Sequence, residues 1–314
     1  MFSNPLTEGA AFREQAATQH GAGARRLPRT SVENRQYKFG FRALLSTVLG
    51  AACALAGAAE LPLWEAGAGV AVIDFPDYRG SDQRETFVLP LPYFIYRGNV
   101  IKADRSGLRG EFLKHERLNL YLGINGTIPV DSADNVARQG MPDLDPTLEI
   151  GPILEIHLGQ SQDRRVRADL RLQLRTVVAT DFSDVQGAGW IFQPKLNLDL
   201  QDIWPGPGWR IGLATSPLFG SHRYHEYFYG VAPEFATAQR PAYAAPGGYA
   251  GWEWVTTLSK RFPSYWVGGF LRADTLAGAV FDASPLLRQN YSYAVGFGVA
   301  WIFTRSEKQG TADE

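Results

Sequence analysis

The chain has 314 residues, is 45% hydrophobic and carries a formal net charge of -1, a balance that gives no reason to expect nucleic acid as a partner. Methionine (2) and cysteine (1) are scarce, whereas glycine (33) and aromatic residues (12%) are plentiful, which favours many strands over long helices. A single cysteine excludes a disulfide framework, so a core or a closed sheet must hold the fold together.

Residues 1–36 are rich in Gly, Ala, Thr, Arg and Gln without a sustained apolar period. They are expected to be disordered or to come from a misassigned start, because they cannot bury enough surface to offset the entropy of ordering. Residues 37–59 read as a secretory signal: Arg35, Lys38 and Arg42 precede the apolar run Ala43–Ala56, and Gly57, Ala58 and Ala59 supply a small-residue cleavage site. The run falls short of the roughly twenty residues a membrane-spanning helix needs. Cys53 lies inside it and would leave with it. Cleavage there removes 7 basic and 3 acidic residues, leaving 24 against 29 and a charge of about -5.

From residue 60 the dominant period is two. Strands are expected near 64–74, 86–96, 99–105, 108–115, 117–126, 146–159, 165–179, 188–201, 208–215, 223–233, 248–261, 265–274 and 291–303, one of them a loop or half of a bent strand. In 146–159 the apolar positions are Leu148, Ile150, Leu154, Ile156 and Leu158. In the next segment Val166, Ala168, Leu170, Leu172 and Leu174 face away from Arg165, Arg167, Asp169, Arg171, Gln173 and Arg175. In 291–303 the odd positions are Tyr291, Tyr293, Val295, Phe297, Val299, Trp301 and Phe303, and the even ones are mostly Ser, Ala or Gly.

A soluble sandwich would have to bury one of these faces and strand several arginines in a dry core. A barrel turns the greasy face to lipid and the charges to a lumen. The fold class is therefore an all-β, transmembrane, antiparallel up-and-down β-barrel of about 12 strands spanning 60–303, with a polar tail at 304–314. Because an open edge in hydrocarbon leaves backbone groups without partners, Trp64–Asp74 and Tyr291–Phe303 must be neighbours. Tyr78, Tyr93, Tyr96, Trp204, Trp209, Tyr227, Tyr265 and Trp266 are expected in interfacial girdles.

Glu149, Glu155, Arg165, Arg167, Arg171, Arg175, Lys195 and Asp199 are the candidate lumen charges, either a plug of ion pairs or the lining of a narrow pore. A plug is favoured, since a dozen strands leave little width once long side chains fill it. The small face of the last strand offers space that could accept those side chains.

Catalytic chemistry is weakly encoded. His222, His225 and Glu226 resemble a short metal motif, but on a strand residues an odd number apart point to opposite faces. Ser216 or Ser284 could seed an esterase, yet no flanking pattern supplies an oxyanion hole or an orienting carboxylate. Gly67 and Gly69 lack the context of a nucleotide fingerprint. No catalytic residue, metal or cofactor is expected. The proline-rich stretch Phe75–Tyr93 reads as a rigid turn between the first two strands, or as a surface that docks a periplasmic partner through Pro90 and Pro92.

Certain motifs go beyond periodicity. Phe75-Pro76-Asp-Tyr78-Arg-Gly80-Ser81-Asp82 follows the first strand, with Leu89-Pro90-Leu-Pro92-Tyr93 after it. Tyr224-His-Glu-Tyr227-Phe228-Tyr-Gly230-Val231, Gly247-Gly-Tyr249, Gly268-Gly269, Leu276 and Ala283-Ser284-Pro285-Leu-Leu287 complete the set. In order and spacing these resemble the MipA/OmpV family of outer-membrane proteins. The resemblance implies a non-enzymatic barrel exported to the outer membrane. Its partners would be outer-membrane lipid and, in the periplasm, a murein lytic transglycosylase and a penicillin-binding murein synthase; other members are porin-like or adhesive. Gly298, Trp301 and Phe303 fit the pattern the insertion machinery reads at a last strand. The tail after Phe303 departs from that expectation.

Overall fold

The computed structural model describes residues 62–97, 101–104, 107–115, 117–181 and 184–308. The expected extension (1–36), signal peptide (37–59) and the last tail residues lie outside them.

Twelve antiparallel strands follow one another around a closed wall: β1 Trp64–Pro76, β2 Arg84–Arg97, β3 Ile101–Asp104, β4 Gly107–Lys114, β5 Leu118–Gly126, β6 Thr147–Gln160, β7 Val166–Thr180, β8 Val185–Gln201, β9 Trp209–Gly220, β10 Gly248–Arg261, β11 Tyr265–Thr275 and β12 Tyr291–Arg305. Closure is made by β12 on β1, with Val70 opposite Val299 and Val72 opposite Phe297, as the edge argument required. β12 runs to Arg305 and Ser306 N donates to Trp64 O, so the first residues assigned to the tail belong to the wall.

Alternation decides what each face meets. In β12 Tyr291, Tyr293, Val295, Phe297, Trp301 and Phe303 are exposed, while Ser292, Ala294, Gly296, Gly298 and Ala300 face inward. β6 repeats this with Leu148, Ile150 and Leu158 outside and Thr147, Glu149, Ile153 and Glu155 buried. Large apolar side chains standing exposed on strand after strand are unfavourable in water and are what a lipid-facing wall requires.

One expected strand is a helix. Residues 223–233 do not extend; α1 (His222–Tyr229) forms instead, with Ser221 as N-cap, its hydroxyl accepting from Tyr224 N. The segment is dense in aromatics, which suit strands by propensity, but His225, Phe228 and Tyr229 bury at helical spacing on one face. Only residues 77–83 of the proline-rich stretch form a turn. Pro90 and Pro92 sit within β2, pointing outward between buried Tyr93 and half-buried Leu91 and Leu89.

The girdle assignment also needs correcting. Tyr78 and Tyr93 are buried, Tyr227 lies on α1, and Trp266 packs inside against Tyr93 with ring centroids 6.4 Å apart. Trp204, at 66% exposure, stands free in the β8–β9 turn.

The two ends differ. At the end holding the described termini, no connection exceeds seven residues (202–208 is the longest). At the other, residues 127–146, 221–247 and 276–290 form long segments that fold together.

Candidate functional site: a capped and internally paired lumen

The long segments build a cap. Its core joins Tyr78 of the β1–β2 turn, Val130 and Leu144 of 127–146, Phe228 and Tyr229 of α1, Ala245, and Leu276, Ala279 and Phe281 of 276–290, on top of Val177, Ala188, Ile191 and Leu218 of the wall. Tyr229 stacks on Phe281 with centroids 3.8 Å apart. Such pairs add to the area they bury.

Polar side chains satisfy the backbone that a closed cap buries. Tyr78 Oη donates to Leu286 O (2.8 Å), Tyr229 Oη to Arg79 O (2.9 Å) and Ser284 Oγ to Tyr229 O (2.7 Å). Arg138 reaches Ser132 Oγ (3.1 Å) and Pro142 O (3.0 Å). Burial pushes the Tyr224 and Tyr227 hydroxyls up to about 12 and raises those of Tyr78 and Tyr229 as well, keeping them neutral donors.

The residues carrying the family resemblance converge here from far apart in sequence. Gly80 (φ +88°) accepts at its carbonyl from Arg288 N and Gln289 N, and a Cβ there would lie 2.3 Å from Leu287 Cδ1, so only glycine fits. Ser81 is buried beside Asn135 Nδ2 (3.2 Å), and Phe75 stacks on Phe87 at 5.2 Å. Pro76 is buried at the end of β1, Gly230 closes α1, Val231 bridges to Tyr243, and Pro285 follows Ser284. Pro90 and Pro92 stay apart on the outer wall. Gly298, buried, and Trp301 and Phe303, exposed, keep to opposite faces of β12.

The histidines pin the cap rather than converge on a metal. His222 Nδ1–H donates to Ala245 O and His225 Nδ1–H to Pro246 O, each at 2.6 Å, and Glu226 Oε2 accepts from Ala245 N (2.7 Å). A carbonyl can only accept, so Nδ1 carries the proton in both rings. Ser216 is buried and accepts from Gln193.

Beneath the cap the lumen is divided. On β6, β7, β8 and β10, Arg175 pairs with Glu149 (3.1 Å) and donates to Gln193 Oε1 (2.8 Å), and Lys195 pairs with Glu253 (2.8 Å). Further toward the short turns Glu155 takes Arg171 (2.7 Å) and Arg167 (3.1 Å), while Asp169 takes Arg167 (2.8 Å) and His157 (2.9 Å). Asp199 stands opposite Arg167 in the β7–β8 register. Arg165 is the exception among the candidate charges: it lies exposed in the β6–β7 turn, 3.7 Å from Asp163.

The other half, on β1, β2, β11 and β12, is largely apolar. The small face of β12 does not receive the arginines: a Cβ on Gly296 would meet Phe270 at 2.4 Å, and one on Gly298 would meet Leu91 at 3.0 Å. Tyr93, Ile95, Leu91, Trp266 and Ile302 occupy the rest around Ala300. At its border Glu65, wholly buried, pairs with Arg261 (2.9 Å) across the intervening strands.

Sequence reasoning passed over Glu65, Glu253, Asp274 and Arg272. Each lies on an inward parity, the signal that could have found them. Arg79 and Arg272 both hold Asp274, at 3.0 and 3.1 Å.

Known proteins similar to this chain are outer-membrane proteins. The outer membrane protein OmpV of Vibrio cholerae serotype O1 is 27% identical over 225 residues, covering 67% of this chain and 76% of its own. The outer membrane protein Omp26La of Vibrio anguillarum is 25% identical over the same coverage. Among solved structures a bacterial polysaccharide outer membrane secretin is similar at a TM-score of 0.40 and 8% identity, over 76% of this chain and 99% of that one, too slight a likeness to argue from. The family described as MltA-interacting protein MipA matches residues 67–303, most of the chain. The protein therefore belongs to that family and is an outer-membrane β-barrel of MipA/OmpV type.

Proposed function

We propose that the protein is a non-enzymatic, non-conducting scaffold that holds a murein lytic transglycosylase and a penicillin-binding murein synthase at the outer membrane. The family's description as MltA-interacting favours a murein-enzyme partner. The observation that carries the scaffold over a channel is the lumen: paired charges reach across one half, aromatic and aliphatic side chains project into the other, and a hydrogen-bonded cap lies at the long-loop end. Outer-membrane barrels put short turns in the periplasm and long loops outside. On that rule the partners dock at the short-turn end, and the cap faces outward. The motif turn 77–83 is then on the wrong side for a periplasmic contact, and Pro90 and Pro92, on the lipid-facing wall, are no docking surface.

The second reading is a narrow porin-like channel, favoured by the inward row Arg167, Arg171, Arg175 and Lys195. Pull-down of the detergent-solubilised barrel, blotted for the transglycosylase, should be run beside planar-bilayer recording. Capture without conductance is expected. Ohmic steps that change on Arg171→Ala, without capture, would give the channel precedence.

A further inference from the structure

Proline within a sheet removes a ladder hydrogen bond and is ordinarily confined to edges. A closed wall in hydrocarbon has no edge to offer, and backbone groups left unpaired there are costly. β8 and β9 nevertheless set two prolines against each other. Ser221 N donates to Trp190 O (2.9 Å), and the register steps from there through Phe192↔Phe219 to Leu196↔Thr215. On that register Pro194 lies opposite Pro217, at a position where each residue would donate its N–H to the other's carbonyl, and neither has one. The pairing is blank over residues 193–195 and 216–218. The bonded positions on either side, Phe192 and Leu196, bound a window of three residues on each strand and lie four steps apart, roughly 13 Å at about 3.3 Å per residue.

Both sides of this window are furnished. Outside, a groove of about 290 Å³ runs beside it, lined by Leu196, Leu198, Leu213, Thr215, Trp254 and Thr256. Leu196 and Thr215 are also the window's rim. Inside, the window is spanned by one side-chain bond, Gln193 Nε2 donating to Ser216 Oγ (2.9 Å). Glu253 accepts from the same amide (3.0 Å), and Lys195 and Arg175 stand next to it. The alternation around the barrel thus leaves apolar groove, unbonded wall and polar cluster in one line.

We propose that the Pro194–Pro217 window is a lateral portal between bilayer and lumen for a single-chain amphiphile of the fatty-acid class. The alkyl chain lies in the groove, and the head group takes the place of Ser216 against Gln193 and Lys195. Entry is sideways and ends at the polar cluster, so neither the closed cap nor the ion pairs of the lumen oppose it. The proposal is independent of the scaffold role.

The test uses the full chain with Cys53→Ser, reconstituted in liposomes, and a thiol at Ser216→Cys. A long-chain N-alkyl maleimide dissolved in the bilayer should label it faster than a charged, water-soluble methanethiosulfonate, and palmitate should slow that labelling. Pro194→Val with Pro217→Val gives back two N–H donors and should slow the lipid-borne reagent by about tenfold, the effect of one to two net hydrogen bonds. Heat-modifiability on gels checks that each variant is folded, and Gln193→Cys supplies a second inward thiol if Ser216→Cys does not assemble. Lipid-borne labelling unchanged by the two valines, or faster labelling from water, would overturn the portal.

Discussion

The two halves of the lumen solve one problem with opposite chemistry. Behind β6–β8 and β10, long charged side chains point inward, and Arg175, Arg171, Arg167 and Lys195 each have a carboxylate within about 3 Å. Behind β12 the wall is glycine, alanine and serine, Phe270 and Trp266 of β11 and Leu91 of β2 fill the space those residues leave, and Arg272 with Asp274 is a charged pair on the inward face of β11 near the cap. Both halves present the same greasy exterior, so the lipid does not distinguish them. Inside, a charge removed from water requires a partner and hydrogen bonds, whereas an apolar ring requires only volume. The charged half should therefore be sensitive to the loss of one member, and the apolar half to the addition of bulk.

Arg175→Ala carries the largest expected effect, since it leaves Glu149 buried and unopposed: about 3–5 kcal/mol. A urea titration of the gel-shifted folded form reads this loss. Replacing both members, Arg175→Met with Glu149→Leu, should recover most of it; equal damage from the single and the double variant would end the claim that pairing is what matters. Arg165→Ala, in the exposed turn, should leave the midpoint where it is.

In the apolar half Gly296→Val drives a side chain into Phe270 and should cost about 1–3 kcal/mol. Phe270→Ala in the same background should relieve part of that, so the double variant is more stable than the two single losses predict. Simple additivity would show that the two residues do not share the space.

The smallest effect concerns the cap that lies over both halves. His225 is wholly buried, with Nδ1–H donated to Pro246 O and Nε2 without a hydrogen-bond partner. Burial lowers its pKa, despite the Pro246 bond, and Arg79 and His222 act in the same direction. Tyr224, Tyr229 and Phe281 enclose the ring, and Glu226 of the same helix is committed to Ala245 N. An unfolded histidine takes up a proton near pH 6.5 that the folded one resists. The contribution of His225 is thus complete above that pH and falls as pH drops below it, by at most about 1.4 kcal/mol per pH unit. Amide protection factors over residues 222–229, taken relative to the intrinsic exchange rate at each pH, should fall between pH 7.5 and 5.5 in the native chain and not in His225→Gln. The same fall in both would remove His225 as the cause.

Much of the wall was legible. The odd-even contrast from Tyr291 to Phe303, and the split of leucines from arginines across 166–175, put the correct residues on each face because a strand's side chains alternate strictly. Closure of β1 on β12 followed from the cost of an open edge in hydrocarbon. The helix at 222–229 was not legible, since its aromatic-rich run favours a strand until Ser221 caps it and the cap core claims one helical face. Nor was the gathering of Tyr78, Gly80, Phe228, Gly230 and Ser284, which are spread over some two hundred residues and meet only when three loops fold over the barrel mouth.

The sequence by itself determined the period, and the period determined most of the wall: which side chains meet lipid, that there are about a dozen strands, and that the first must find the last. Tertiary structure alone decided what fills the interior, because inward-facing residues meet partners on strands and loops that no local pattern names. Pro194 and Pro217 are unremarkable as separate residues in two strands. Only the register sets them opposite each other, and only a closed wall makes the two missing bonds a feature of the barrel.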